Sequence, residues 1–232
     1  MRERGDLSCF HEPFMYDYYV ARKKRVMPHF EAEQGRPVSY RQVCDSLLET
    51  AESHPVFVKD MSYYVIPHLL DDKEFCARLT NTFLIRDPIA SIVSYFKLDP
   101  DISCEEIGLE AQASHYLSLQ KSGQSPVIIQ AEDVRANTRN VMNAYWQAIG
   151  LTAAEHAFSW QGDNPDDWQQ VKGWHIDVSA SKGIVPLSRE QLNAQREVFN
   201  ALAKQHPRLQ ELLDHHLPYY EMLKSRALQV TL

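Results

Sequence analysis

An α/β fold of three layers, a parallel sheet flanked by helices, is predicted by two observations. Four short apolar runs, LSCF (7–10), VFVK (56–59), TFLI (82–85) and VIIQ (127–130), are strand-length and rich in β-branched or aromatic residues. The segments between them have helical spacing or helix-start signals, and strands alternating with helices imply a parallel sheet covered on both faces. The length of 232 residues and a hydrophobic content of 44% suit one moderate-sized domain, 1–232, with a buried core.

Each element has its own signal. Segment 39–52 carries apolar residues at Val43, Leu47 and Leu48, a helical spacing. Pro88 suits the first turn of a helix over 88–97, with Asp87 as its cap. Segment 103–120 opens with Ser103 and an acidic first turn, and 133–150 runs from a cap at Asp133 to Gly150. Residues 160–186 hold Trp160, Trp168 and Trp174 but no clear strand, and read as a long loop. Residues 187–224 read as mostly helical, with Ser188 as a cap.

Composition removes several function classes. A formal net charge of -7 argues against a general nucleic-acid binder, although a local cationic pocket would be hidden in it. Cys9, Cys44, Cys76 and Cys104 have no metal-type spacing and are expected to be reduced. His215 and His216 have no partner at i, i+4, so no metal is expected. The charged start MRERGD is not a signal peptide, and no apolar stretch is long enough to span a membrane, so a soluble cytoplasmic protein is expected. No serine sits in the Gly-x-Ser-x-Gly elbow of a hydrolase. The stretch FMYDYYVARKKR (14–25) reads either as an acceptor lining of Tyr16, Tyr18 and Tyr19 or as a packed helix with a solvated basic end.

The chemically informative stretch is LIRDPIASIVSYF. Arg86 closes a strand at its carboxyl end, where ligands gather in open parallel sheets. Ser91 and Ser94 lie three apart on the following helix. A guanidinium fork and a serine hydroxyl suit one anionic group. The competing reading pairs Arg86 with Asp87 or another carboxylate and leaves the serines covering a helix face.

This stretch resembles the 3′-phosphate-binding motif of sulfotransferases that use 3′-phosphoadenosine 5′-phosphosulfate (PAPS). The resemblance extends to HEPF (11–14), VFVKDMSYYVIPHLL (56–70), VIIQAEDVRANTRNVMNAYWQAIGL (127–151) and WHIDVSASKGI (174–184). It implies a P-loop NTPase-like parallel fold, with Arg86 and Ser94 on the 3′-phosphate of PAPS and Lys182 and Gly183 contacting phosphate in a late loop. Glu132 and Asp133 become structural residues that end a strand and cap a helix. The implied co-substrate is PAPS, the implied partner a small-molecule or carbohydrate acceptor, and no metal is required.

Two departures follow. The family's first strand and its 5′-phosphosulfate loop have no counterpart here, so a chain shortened at its N-terminus is expected, with an open sheet edge that could promote a homo-oligomer. The histidine base of the family's Lys-Thr-His segment is replaced by Lys59-Asp60-Met61. Glu12 is the preferred base, expected to be tuned upward by partial desolvation, with adjacent His11 facing the opposite side of the strand. Lys59 is the expected stabiliser of the leaving phosphate. The alternatives are a noncatalytic remnant acting as an interaction module and a kinase-like transferase; the latter would need a phosphate loop and a magnesium carboxylate, and neither is visible.

Overall fold

The computed structural model describes residues 1–160, 168, 171, 173–174 and 182–230. The chain divides into two compact units, one of Met1–Arg78 with Ala154–Gly183, the other of Leu79–Ala153 with Ile184–Leu232.

In the first unit, strand β1 (Ser8–His11) runs parallel to β2 (Val56–Lys59), with Cys9 opposite Phe57 and His11 opposite Lys59. Strand β1 is shifted one residue later than its apolar run suggests. Helix α1 (Tyr40–Ala51) starts at a reciprocal cap: Ser39 Oγ accepts from the Gln42 N–H, and Gln42 Oε1 accepts from the Ser39 N–H. Its apolar face buries Val43, Cys44 and Leu47. Helix α2 (Ser62–Leu69) follows β2, and α3 (Lys73–Ala77) starts where Asp72 accepts from the Phe75 N–H at 3.0 Å.

The stretch 14–25 forms a single π turn, Asp17–Ala21, closed by the Arg22 N–H on the Asp17 carbonyl. Its tyrosines are packed: Tyr16, Tyr18 and Tyr19 are all buried. Tyr18, Tyr19, Tyr63 and Tyr64 form an edge-rich aromatic cluster, with ring centroids 4.6 Å apart for Tyr63 and Tyr64 and 4.8 Å for Tyr18 and Tyr19. This favours the packed reading of the stretch over an acceptor lining by Tyr18 and Tyr19.

In the second unit, β3 (Thr82–Ile85) runs parallel to β4 (Val127–Gln130), with Ile85 opposite Gln130. Helix α4 (Pro88–Phe96) is capped by Asp87, whose carboxylate accepts from the Ile89 N–H at 2.8 Å. The segment read as one helix over 103–120 is two, α5 (Cys104–Ile107) and α6 (Leu109–Lys121), because Gly108 adopts a left-handed φ of 79° between them. The segment read as starting at Asp133 also divides, into α7 (Ala131–Ala136) and α8 (Thr138–Ala148), with the break at Asn137. Asp133 therefore lies inside α7 and accepts from Gln130 Nε2 at 2.6 Å instead of capping a helix start.

Helices α9 (Arg189–Gln205) and α10 (Arg208–Lys224) complete this unit, and Ser188 caps α9 as its sequence suggests. Ile92 and Val93 of α4 pack with Ile102, Phe199, Leu209 and Leu212 in one apolar cluster. Each fully buried side chain of this size contributes about 1.5–3 kcal/mol. Past α10 the chain returns to the sheet, where the Leu228 N–H donates to the Ile128 carbonyl at 2.8 Å.

The α/β class and the parallel pairing expected from the apolar runs are present. Among the described residues, the strands form the two pairs β1–β2 and β3–β4.

Candidate functional site

Two groups of sequence-predicted residues lie at strand ends, one in each unit. In the first unit, Glu12 directly follows β1 and adopts φ 47°, a left-handed value that a glutamate rarely holds. The strained turn is pinned on both sides. The Glu12 N–H donates to the Lys59 carbonyl at 2.6 Å, and the Met15 N–H donates to the Glu12 carbonyl at 3.1 Å. Strain of this kind persists only where the surroundings over-determine it, and it clusters at functional sites.

The Glu12 side chain is buried and ion-paired: Lys59 Nζ donates to its Oε1. Tyr64 Oη lies 3.5 Å from Glu12 Oε2 and 3.4 Å from Tyr19 Oη. The sequence-predicted base and the sequence-predicted phosphate-side lysine are thus each other's partners. Lys59 remains about half exposed, at 46% of its side-chain surface.

Sequence reasoning missed Asp60. Its two carboxylate oxygens accept from the Phe14 N–H at 2.9 Å and the Met61 N–H at 2.8 Å, so it stitches the turn after β1 to the turn after β2. Burial, reinforced by the nearby Glu12 charge, pushes its carboxyl up to about 8. A lone aspartate after a strand carries no distinctive pattern, and only the convergence of two strand ends singles it out.

His11 ends β1 and Glu12 lies in the turn beyond it, and the two meet different neighbours. His11 lines a cavity of about 110 Å³ with Phe10, Tyr16, Arg36, Val43 and Leu47, whereas Glu12 turns toward Lys59 and Tyr64. The two side chains still approach, with His11 Nε2 at 3.8 Å from Glu12 Oε1.

In the second unit, Arg86 follows β3 and is partly buried. Burial lowers its pKa, and the nearby Glu132 carboxylate partly offsets that. Among the described residues, Arg86 has no hydrogen-bond or ion-pair partner, so the expected alternative of an Asp87 pair is not formed there. Asp87 instead caps α4 and lies 3.9 Å from Arg196. Ser91 and Ser94 follow on α4, both partly buried. Glu132, in the first turn of α7, accepts from the Asp87 N–H at 3.1 Å and so holds the corner that presents Arg86. Burial raises the Glu132 pKa, consistent with a carboxyl tucked beneath that corner.

Lys182 and Gly183 belong to the first unit. Lys182 is exposed, and its carbonyl accepts from the Trp160 N–H at 3.3 Å. Residues 175–181 of the late-loop segment lie outside the described residues, whereas Trp174 donates its indole N–H to the Pro28 carbonyl at 2.8 Å. No helix among the described residues is long and apolar enough to cross a membrane.

Comparison with known proteins agrees with the motif reading. The sulfotransferase domain model matches residues 1–227. Among curated proteins, the branched-chain-amino-acid aminotransferase-like protein 1 of Arabidopsis thaliana is 24% identical over 160 residues. That match covers 66% of this chain and 26% of the Arabidopsis protein, so the chain spans about a quarter of its relative's length. No solved structure is significantly similar. With nearly its whole length matched by the domain model, the chain belongs to the sulfotransferase domain family.

Proposed function

We propose that the protein transfers a sulfuryl group from PAPS to a hydroxyl or amine acceptor on a small molecule or carbohydrate, as a cytoplasmic enzyme. The observation that carries this reading is Arg86: a partly buried guanidinium at a parallel-strand end, followed directly by a capped helix and without a protein partner among the described residues. Burying a guanidinium without a partner is costly, and an anionic ligand removes that cost. Arg86 and Ser94 are assigned to the ribose 3′-phosphate, and Lys182 with the Gly183 backbone to further phosphate contacts. A three-layer, P-loop-like arrangement around the two parallel strand pairs belongs to the same reading.

In the chemical step, the acceptor oxygen or nitrogen bonds to sulfur as the sulfur–oxygen bond to the phosphate breaks. Glu12 takes the acceptor's proton, and 3′,5′-adenosine bisphosphate leaves. Lys59 holds the Glu12 carboxylate in an ion pair, and its exposed side places a cation beside the developing charge. Asp60 holds the two strand-end turns that set the Glu12 backbone.

The test follows radiolabelled sulfate from PAPS into a panel of phenol, sugar and amine acceptors. The expected result is transfer by the wild-type protein and its loss, by about 100-fold or more, in Glu12→Gln with nucleotide binding retained. Full transfer by Glu12→Gln would remove Glu12 as the base. Nucleotide binding without transfer to any acceptor would favour a noncatalytic binding module.

A further inference from the structure

We propose that Cys104, His215 and His216 form a zinc site in the second unit, on residues distinct from those assigned to sulfuryl transfer. The Cys104 Sγ and one ring nitrogen from each histidine all lie within 4.8 Å of one another. The histidine pair has no helical partner four residues away; its third ligand comes instead from the start of α5.

The hydrogen bonds around the two rings define their protonation. His216 Nε2 lies 2.8 Å from the Cys104 carbonyl, which can only accept, and 3.4 Å from the Cys104 Sγ, so in the metal-free protein Nε2 carries the proton. His215 Nε2 lies 2.9 Å from Glu110 Oε2, so a proton sits on that nitrogen also. In both neutral rings the lone pair is then on Nδ1. The His216 Nδ1 is buried and has no hydrogen-bond partner among the described residues. A metal-bound imidazole characteristically gives its other N–H to a carboxylate or a backbone carbonyl, and these two histidines have one acceptor of each kind. Glu110 is further fixed by Tyr219, whose hydroxyl donates to Oε1 at 3.3 Å.

The chemistry of the donor set selects the ion. One thiolate and two imidazoles suit zinc, with the fourth tetrahedral position taken by water. Ligand atoms around zinc stand about 3.3–3.7 Å apart, given Zn–N near 2.0–2.1 Å and Zn–S near 2.3 Å. His215 supplies the movable and accessible side, with 40% of its side chain exposed, whereas His216 is almost wholly enclosed at 1%. The anchor of Cys104 is firm, because Ser103 donates both its N–H and its hydroxyl to Glu106, and Tyr95 donates to the same carboxylate.

Cobalt titration of the metal-free protein tests the site, because cobalt reports both geometry and sulfur ligation in its absorbance. One equivalent is expected to bind with tetrahedral visible bands and a sulfur-to-metal charge-transfer band, and zinc is expected to displace it. Cys104→Ser removes the charge-transfer band, His215→Ala weakens binding at least 10-fold, and Glu110→Gln weakens it about 10-fold. Circular dichroism establishes that each variant is folded, and the exposed His215 position decides the matter if Cys104→Ser does not fold. A wild-type protein that takes up no stoichiometric metal, or binding and spectra that survive His215→Ala unchanged, would overturn the proposal.

Discussion

Asp60 takes up a proton on folding, since burial and the Glu12 charge move its pKa from 3.8 to about 8. A carboxyl raised in this way stabilises the fold fully at low pH, and the contribution is lost as pH rises through about 8. His115 behaves in the opposite sense. It packs edge-on against Phe83 at 5.2 Å, and burial lowers its pKa from 6.5 to about 4, so stability is lost as pH falls from 6.5 toward 4. Between pH 4 and 6.5 the two slopes oppose and nearly cancel, so thermal melts are expected to stay level there and to decline from about pH 6.5 to 8. Asp60→Asn should flatten the alkaline decline, at a cost of about 1 kcal/mol for the backbone donor that loses its acceptor. An unchanged alkaline decline in Asp60→Asn would assign it to another group. The Glu132 corner makes a parallel case: Glu132→Ala removes the acceptor of the Asp87 N–H and is expected to weaken nucleotide binding while Arg86 itself remains. Binding equal to wild type would show that the corner holds without it.

Backbone devices fix the elements, and several were legible in the sequence. The runs VFVK, TFLI and VIIQ match β2, β3 and β4 residue for residue, and Asp87 and Ser188 cap the helices they precede, whereas the Ser39 cap was not read. Such signals are local, and local chemistry suffices to produce them. The breaks at Gly108 and Asn137 were not read, because neither residue interrupts the apolar pattern strongly enough to separate a broken helix from a continuous one. The Glu12–Lys59 pair was legible only as two separate candidates, since residues 47 positions apart meet through parallel register and not through spacing. Two substitutions test the devices. Ser39→Ala should cost about 1 kcal/mol by removing the α1 cap. Gly108→Ala should cost about 1–2 kcal/mol, because an alanine Cβ disfavours the left-handed φ of 79°. Denaturant midpoints read both; no shift for Gly108→Ala would mean that the α5–α6 junction relaxes to another conformation.

Across the whole molecule, the family assignment rests on similarity over nearly the full length, and the site residues are the proposal built on it. Phe199, 1% exposed, packs with Ile92 and Val93 of α4, the helix that carries Ser94. Phe199→Ala should cost about 3–5 kcal/mol of stability. The central claim is that Arg86 recognises the 3′-phosphate of the nucleotide, and calorimetric titration with 3′,5′-adenosine bisphosphate tests it most directly. The account predicts one site in the wild-type protein, weakened at least 10-fold by Arg86→Ala and far weaker for adenosine 5′-monophosphate, which lacks the 3′-phosphate. Equal affinity of wild type and Arg86→Ala, or no binding by a protein that melts cooperatively, would contradict it.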